Sequence, residues 1–183
     1  GSIGTYPTQT AVPFPVPSVN TPTGGAPAAV PATLGVYADI PYLGTWAGTT
    51  APQVYVGGVA QDVQTGAFEG SHAISFSLGR DGAGWQILGD SQDLSAYTHL
   101  HFRIKTSSTA QFVRVRIAGV GSVGSVALAP KLQATTGWQE VTIPLSEFGV
   151  TAQGRVTIPF SIEAVGGTPA FAALVDQIYY SKP

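Results

Sequence analysis

The run Asp93–Ile117, DLSAYTHLHFRIKTSSTAQFVRVRI, limits what this chain can fold into more than any other stretch. Leu100, Phe102 and Ile104 fall on one side of an extended backbone and His99, His101, Arg103 and Lys105 on the other, the period-two pattern of a half-buried strand. After the Ser/Thr-rich link 106–111 the pattern restarts, with Val113, Val115 and Ile117 opposite Phe112, Arg114 and Arg116. The link carries turn residues and no helical period. This predicts a strand pair with an apolar lining and an outer surface that holds Arg103, Lys105, Arg114 and Arg116, half of the chain's eight basic residues.

Short apolar runs punctuated by Gly and Pro continue on both sides. GVYADIPYLGTWAG, QVYVGGVAQ, HAISFSL and GWQILG precede the central pair; SVALAPKL, WQEVTIPL, VTIPFSIEAV and ALVDQIYY follow it. GRDGAG and GGTP are turns, LSEFGV allows one helical turn, and QVYVGGVAQ is taken as a single strand. About ten short strands predict an all-β fold, a two-sheet antiparallel β-sandwich spanning 34–183. Residues 1–33 divide off by composition: Gly1-Ser2 reads as a cloning scar, and Pro7, Pro13, Pro15, Pro17, Pro22, Pro27 and Pro31 make the rest a semi-rigid linker or arm. Such a linker implies an upstream domain, and the absence of Met reads as the mark of a segment of a longer chain.

Composition narrows the function. Charged residues are 10% of the chain and the net charge is −2, so no field recruits nucleic acid or an anionic membrane. No apolar run reaches the roughly 18 residues of a membrane-spanning helix. Without Cys there are no disulfides and no thiolate metal sites. Glycosidase chemistry needs two carboxylates facing one cleft; Glu140 and Glu147 lie on a strand edge and a turn. No G-x-S-x-G or phosphate loop appears, and three His make no zinc pattern. A non-enzymatic, Gly/Ser/Thr-rich, outward-facing β-domain fits best. Trp46, flanked by Gly44 and Gly48, and Tyr42 in the same loop are candidates for exposed rings against a sugar's C–H face; Trp85, next to Gly84, is a core or platform residue, and Trp138 a packing residue.

DLSAYTHLHFRIKT, TTGWQEVTIPLSEF and VDQIYY resemble, in order and spacing, the β-jelly-roll, galactose-binding-like carbohydrate-binding modules found beside glycoside hydrolases in secreted bacterial glucanases. The resemblance covers residues 34–182. It implies sheets B-I-D-G and C-H-E-F, with HAISFSL as B, GWQIL as C, HLHFRIK as D, FVRVRI as E, SVALAPKL as F, WQEVTIPL as G, FSIEAV as H and VDQIYY as I. It further implies that the concave C-H-E-F sheet is the glycan platform. Arg114, Arg116, Gln86 and Glu163 would then face the ligand, while His99, His101, Arg103 and Lys105 lie on the convex side. A structural Ca²⁺ is implied at Asp39, Glu69, Ser71 (with Gly70) and Asp176, joining the first strand, the loop before B and the last strand. The expected role is non-catalytic polysaccharide binding by an extracellular, secreted monomer, with a neutral β-glucan favoured as ligand. The alternatives are a structural or adhesive sandwich packed on a neighbouring domain, binding of an anionic polysaccharide, and a jelly-roll polysaccharide lyase.

Overall fold

A computed structural model describes residues 32–39, 44–149 and 153–183. Tyr42 and nearly all of the proline-rich arm lie outside the described residues. Within them the fold is all-β. The strands are β1 (Thr33–Tyr37), β2 (Gly44–Thr45), β3 (Gln53–Tyr55), β4 (Val59–Val63), β5 (Ala73–Leu78), β6 (Gly84–Ile87), β7 (His99–Lys105), β8 (Val113–Gly119), β9 (Ser122–Ala127), β10 (Trp138–Pro144), β11 (Val156–Ala164) and β12 (Phe171–Ser181). LSEF forms the single helical turn its sequence allows, a 3₁₀ helix over Leu145–Phe148.

Two sheets face each other. One runs β10-β7-β12-β1-β2, with β5 also paired to β12 and β4 to β5; the other runs β3-β6-β11-β8-β9. With β5, β12, β7 and β10 as B, I, D and G, and β6, β11, β8 and β9 as C, H, E and F, this is the jelly-roll order expected from sequence. The alternation in β7 comes out as read, with Leu100, Phe102 and Ile104 fully buried and the residues between them facing outward.

Aromatic rings stitch the sheets together. Phe171, Phe76, Trp85, Phe160 and Phe102 form a chain of ring contacts with centroid separations of 5.7, 5.3, 5.6 and 5.1 Å, crossing from the seven-stranded sheet to the five-stranded one and back. Each fully buried ring of this kind contributes about 1.5–3 kcal/mol from area removed from water.

The predicted strand QVYVGGVAQ is two strands in two different sheets. β3 joins β6, and β4 joins β5. Val56 and Gly57 have φ of 53° and 77°, which turns the chain across the sandwich. A Cβ on Gly58 would lie 2.6 Å from the Gly84 carbonyl oxygen, so the crossing also needs a residue without a side chain.

The longest strand, β12, changes partner along its length. Residues 171–175 pair with β5 and residues 178–181 with β1, while β7 follows it on the other side. The switch occurs where β12 is irregular, between Asp176 and Tyr179, with Gln177 at φ 51°.

Candidate ligand-binding face

The outer surface of the five-stranded sheet is built from two cross-strand rows. Register places Tyr55, Gly84, Glu163, Arg114 and Ala127 abreast, and two residues along each strand Gln53, Gln86, Ser161, Arg116 and Ser125 abreast. The row between them, Val54, Trp85, Ile162, Val115 and Val126, points to the other side because successive strand residues alternate faces. Four of the predicted ligand-binding residues, Gln86, Arg114, Arg116 and Glu163, therefore do share one face.

Three of these side chains are linked through Arg116. Arg116 sits 3.5 Å from Glu163 through Nη1 and donates to Gln86 Oε1 through Nη2 at 3.4 Å. Glu163 stands opposite Arg114 in register, yet its ion pair is with Arg116. Arg114 instead donates through Nε to Ser125 Oγ at 2.9 Å and through Nη2 to the Ser125 carbonyl at 3.1 Å. Ser161, fully buried, donates to the Trp85 carbonyl at 3.0 Å. The Arg116–Glu163 pair cancels, and among the described residues no acidic side chain forms an ion pair with Arg114.

Tyr55 belongs to this face, and sequence reasoning missed it. Its hydroxyl lies 3.2 Å from both Ser161 Oγ and Glu163 Oε2, and it donates to the carboxylate. To get there the ring must cross β6, and it can because Gly84 lies beneath it: a Cβ on Gly84 would come within 2.4 Å of the Tyr55 hydroxyl oxygen. Burial, with the neighbouring Glu163 charge, pushes the Tyr55 phenol up, so it stays protonated and donating at neutral pH. The signal available in the sequence was the spacing Gln53-x-Tyr55, hidden by reading QVYVGGVAQ as one strand.

Two expected platform residues are not on it. Trp46 is 1% exposed; its indole Nε1 donates to the Asp90 carbonyl at 2.8 Å and its ring lies 5.7 Å from Tyr180. Trp85 is 0% exposed and sits inside the aromatic chain between the sheets. Neither has a ring face to offer a sugar. The physical reason for Trp85 is period two: a strand that turns Gln86 outward turns Trp85 inward.

His99, His101, Arg103 and Lys105 lie on the outer surface of the seven-stranded sheet, as expected. Arg103 pairs with Glu140 at 3.0 Å and covers the Phe68 ring at 4.5 Å. His101 stacks on Tyr179 at 4.6 Å, and burial pushes its pKa down. Glu147 pairs with Lys131, so the two carboxylates considered for catalysis are each held by a cation.

The four residues expected around calcium gather at the loop leading into β5. Asp39 Oδ2 accepts from the amides of Ser71 and of His72, the latter at 2.7 Å. Asp176, fully buried at the point where β12 changes partner, accepts from Phe68 N at 2.9 Å and Glu69 N at 3.1 Å through Oδ2, and from Gln177 N at 2.7 Å through Oδ1. Gln177 Nε2 reaches Glu69 Oε2 at 3.4 Å. Burial, followed by the Asp39 charge, raises the Asp176 carboxyl against the opposing effect of those amides. Burial first, and then Asp62, Asp176 and Asp39, push the Tyr37 phenol up strongly. The charge of this corner suits a cation. The placement of its oxygens is that of a hydrogen-bonded clamp, and among the described residues no three His, Asp or Glu side chains group as ion ligands.

The sequence matches no protein-family model and no curated protein. Solved structures do match. A family 11 carbohydrate-binding module from Clostridium thermocellum, in complex with a β-1,3-1,4-mixed-linked tetrasaccharide, superposes with a TM-score of 0.60 at 13% identity, covering 84% of this chain and 98% of that one. The family 30 module of a cellulosomal cellulase from the same organism gives 0.58 at 17% identity over 82% and 97%. The extra C-terminal domain of an exo-1,3/1,4-β-glucanase from a Pseudoalteromonas species gives 0.52 at 12% identity over 73% and 78%. The chain thus has the β-sandwich fold of the family 11 and family 30 carbohydrate-binding modules.

Proposed function

We propose that this chain is a non-catalytic polysaccharide-binding module whose ligand lies across the outer face of the five-stranded sheet. The observation that carries the reading is the pair of cross-strand rows. They set the Tyr55 ring, the Arg116 guanidinium, the Glu163 carboxylate and the Gln86 amide in one connected network, with Arg114, held by Ser125, beside it on the same surface. Planar guanidinium donors and amides match the paired hydroxyls of a sugar, and Tyr55 supplies a ring at one flank. A neutral β-glucan is the favoured ligand, because the Arg116–Glu163 pair leaves the network with little net charge. Affinity electrophoresis in gels containing mixed-linkage β-glucan, xylan, mannan, galactan, pectin or alginate tests this. Retardation by a neutral glucan, lost in Arg116→Ala and insensitive to NaCl, supports the reading; no retardation by any of them refutes it.

Arg114 favours one second reading, an anionic polysaccharide, since no acidic side chain pairs with it among the described residues. Retardation confined to pectin or alginate and steeply reduced by salt would establish that instead. Turnover of the retarded glycan, with reducing ends or unsaturated uronate released, would replace the binding role with a hydrolase or lyase.

The proline-rich run 3–32 supports attachment to an upstream, substrate-degrading domain, and with it an extracellular location. No helix of the described residues is long and apolar enough to cross a membrane. Calcium is a further proposal, supported by the crowding of Asp39, Asp62 and Asp176 charge about Tyr37. A melting temperature higher in millimolar Ca²⁺ than in EDTA supports it, and coincident melts refute it.

A further inference from the structure

We infer that the polysaccharide held on the outer face of the five-stranded sheet carries a neutral carboxylic ester, its methyl resting on an apolar ledge at the rim of that face and its carbonyl accepting from Arg114. The inference rests on the sheet-face reading and names a chemical feature of its ligand. The ledge is made of Phe112, Val165 and Val56, all exposed. Phe112 comes two residues before Arg114 and Val165 two residues after Glu163. Val165 N donates to the Phe112 carbonyl at 2.8 Å, so the two lie abreast one step beyond the row that holds Tyr55, Glu163 and Arg114. Gly82 continues the line, its amide donating to the Ala164 carbonyl at 3.0 Å, and a Cβ placed there would lie 3.6 Å from Val56 Cγ1.

The backbone holds the ledge in place. Val56 and Phe112, with φ of 53° and 63°, are two of the three non-glycine residues in the left-handed region among the described residues. A β-branched or aromatic residue rarely adopts that conformation. The Phe112 ring is seated on bare backbone, since a Cβ on Gly167 would come within 2.6 Å of its Cε2. Strain kept where the side chains face solvent gains nothing from the core, and such outliers cluster at ligand sites.

Arg114 selects the polar half of the substituent. Its Nε and Nη2 donate to Ser125, while Nη1 has no partner among the described residues and calls for an acceptor. A carboxylate there would meet Glu163, directly opposite Arg114 in register, and would lose water against the ledge. A hydroxyl would accept the bond and leave Phe112 and Val165 wet. An ester carbonyl accepts it without charge and brings an apolar methyl to the ledge. Two kinds of polysaccharide present this chemistry: one with O-acyl sugars and one with methyl-esterified uronates.

Affinity electrophoresis of the whole chain against two matched pairs tests this. One pair is mixed-linkage β-glucan and the same glucan partially O-acetylated; the other is saponified pectin and the same pectin highly methyl-esterified. The ester form of at least one pair should bind more tightly, with Kd lower by about 4-fold for each methyl buried, and the pair that responds identifies the source of the ester. The preference should collapse towards parity when Phe112→Asn is combined with Val165→Thr; Asn tolerates the positive φ and Thr keeps the shape of Val. Ester forms that bind no better than their parents in both pairs overturn the inference, and glucan retardation lost in Arg116→Ala then leaves the sheet-face reading standing. An ester preference unchanged in the double variant also overturns it, because the ester is then held elsewhere. Silence with all four polysaccharides overturns the inference and the sheet-face reading together.

Discussion

Gly84→Ala isolates the part Tyr55 plays without deleting a polar atom. The added Cβ would lie 2.4 Å from the Tyr55 hydroxyl oxygen and 2.5 Å from Cζ, where ordinary contact begins at 3.4 Å, so the ring must retreat by about 1 Å. Its hydroxyl is already 3.2 Å from Glu163 and Ser161, and a further ångström breaks both hydrogen bonds. A bond to a charged acceptor is worth about 1.5–3 kcal/mol and a neutral one about 0.5–1.5, with the lower ends apt for partly buried groups. Alanine returns about 0.5–1 kcal/mol relative to glycine in a strand interior. The expected net loss is about 1–2 kcal/mol, which lowers the melting temperature by roughly 2–8 °C at about 2–4 °C per kcal/mol. If the ring supports a sugar, its displacement costs a further 0.5–1.5 kcal/mol or so of binding, about a 2- to 10-fold rise in Kd by titration calorimetry. Tyr55→Phe, which keeps the ring and loses the hydroxyl, should show the stability loss and most of the affinity. A Gly84→Ala protein that melts lower and binds as tightly as wild type would refute the placing of Tyr55 on the platform.

Three other outcomes are expected. Asp176→Ala strips the acceptor from three amides at the β12 partner switch and should cost about 3–5 kcal/mol in denaturant titration; a loss below about 1 kcal/mol would show that the clamp is not what holds the loop. Trp46→Phe leaves the Asp90 carbonyl without its indole donor and opens a gap beside Tyr180, so stability should fall by about 2–3 kcal/mol with glycan affinity unchanged; a selective affinity loss would restore Trp46 to the platform. His72 has its pKa raised first by its hydrogen bond to Asp62. Its stabilising effect is therefore complete below the unfolded His value near 6.5 and is lost as pH rises through the higher folded value. His72→Gln should melt below wild type at acidic pH and converge with it above the folded pKa, and a constant difference across that range would count against the pair.

The strand order was legible because each element carries its own alternation: Leu100, Phe102 and Ile104 can be buried together only if β7 is a strand with one face inward. The same arithmetic, carried through β6, would have separated Trp85 from Gln86, since neighbours on a strand cannot share a face. Trp46 was harder. Flanking glycines suggest an exposed loop ring, but the slot that receives it is made by Gly89, Asp90 and Tyr180, distant in sequence. Tyr55 was hidden by the turn at Val56-Gly57, a crossing between sheets that a run of β-forming residues disguises as continuity. Asp176 reads as a lone acid in a strand; its role follows from where β12 exchanges β5 for β1, a fact of topology.

β1 and the end of β12 run side by side, with Thr33 directly opposite Ser181 and Lys182 N donating to the Ala32 carbonyl at 3.0 Å. The two ends of the folded body thus stand one strand spacing apart, about 5 Å. A short bridge could join them and the backbone be reopened at the exposed Val120-Gly121 turn between β8 and β9, where no core side chain is disturbed. Such a circular permutant keeps every strand pairing intact. The same closeness means that the body could be spliced into a loop of another protein as a self-contained insert, entering and leaving through a gap the width of a single hairpin.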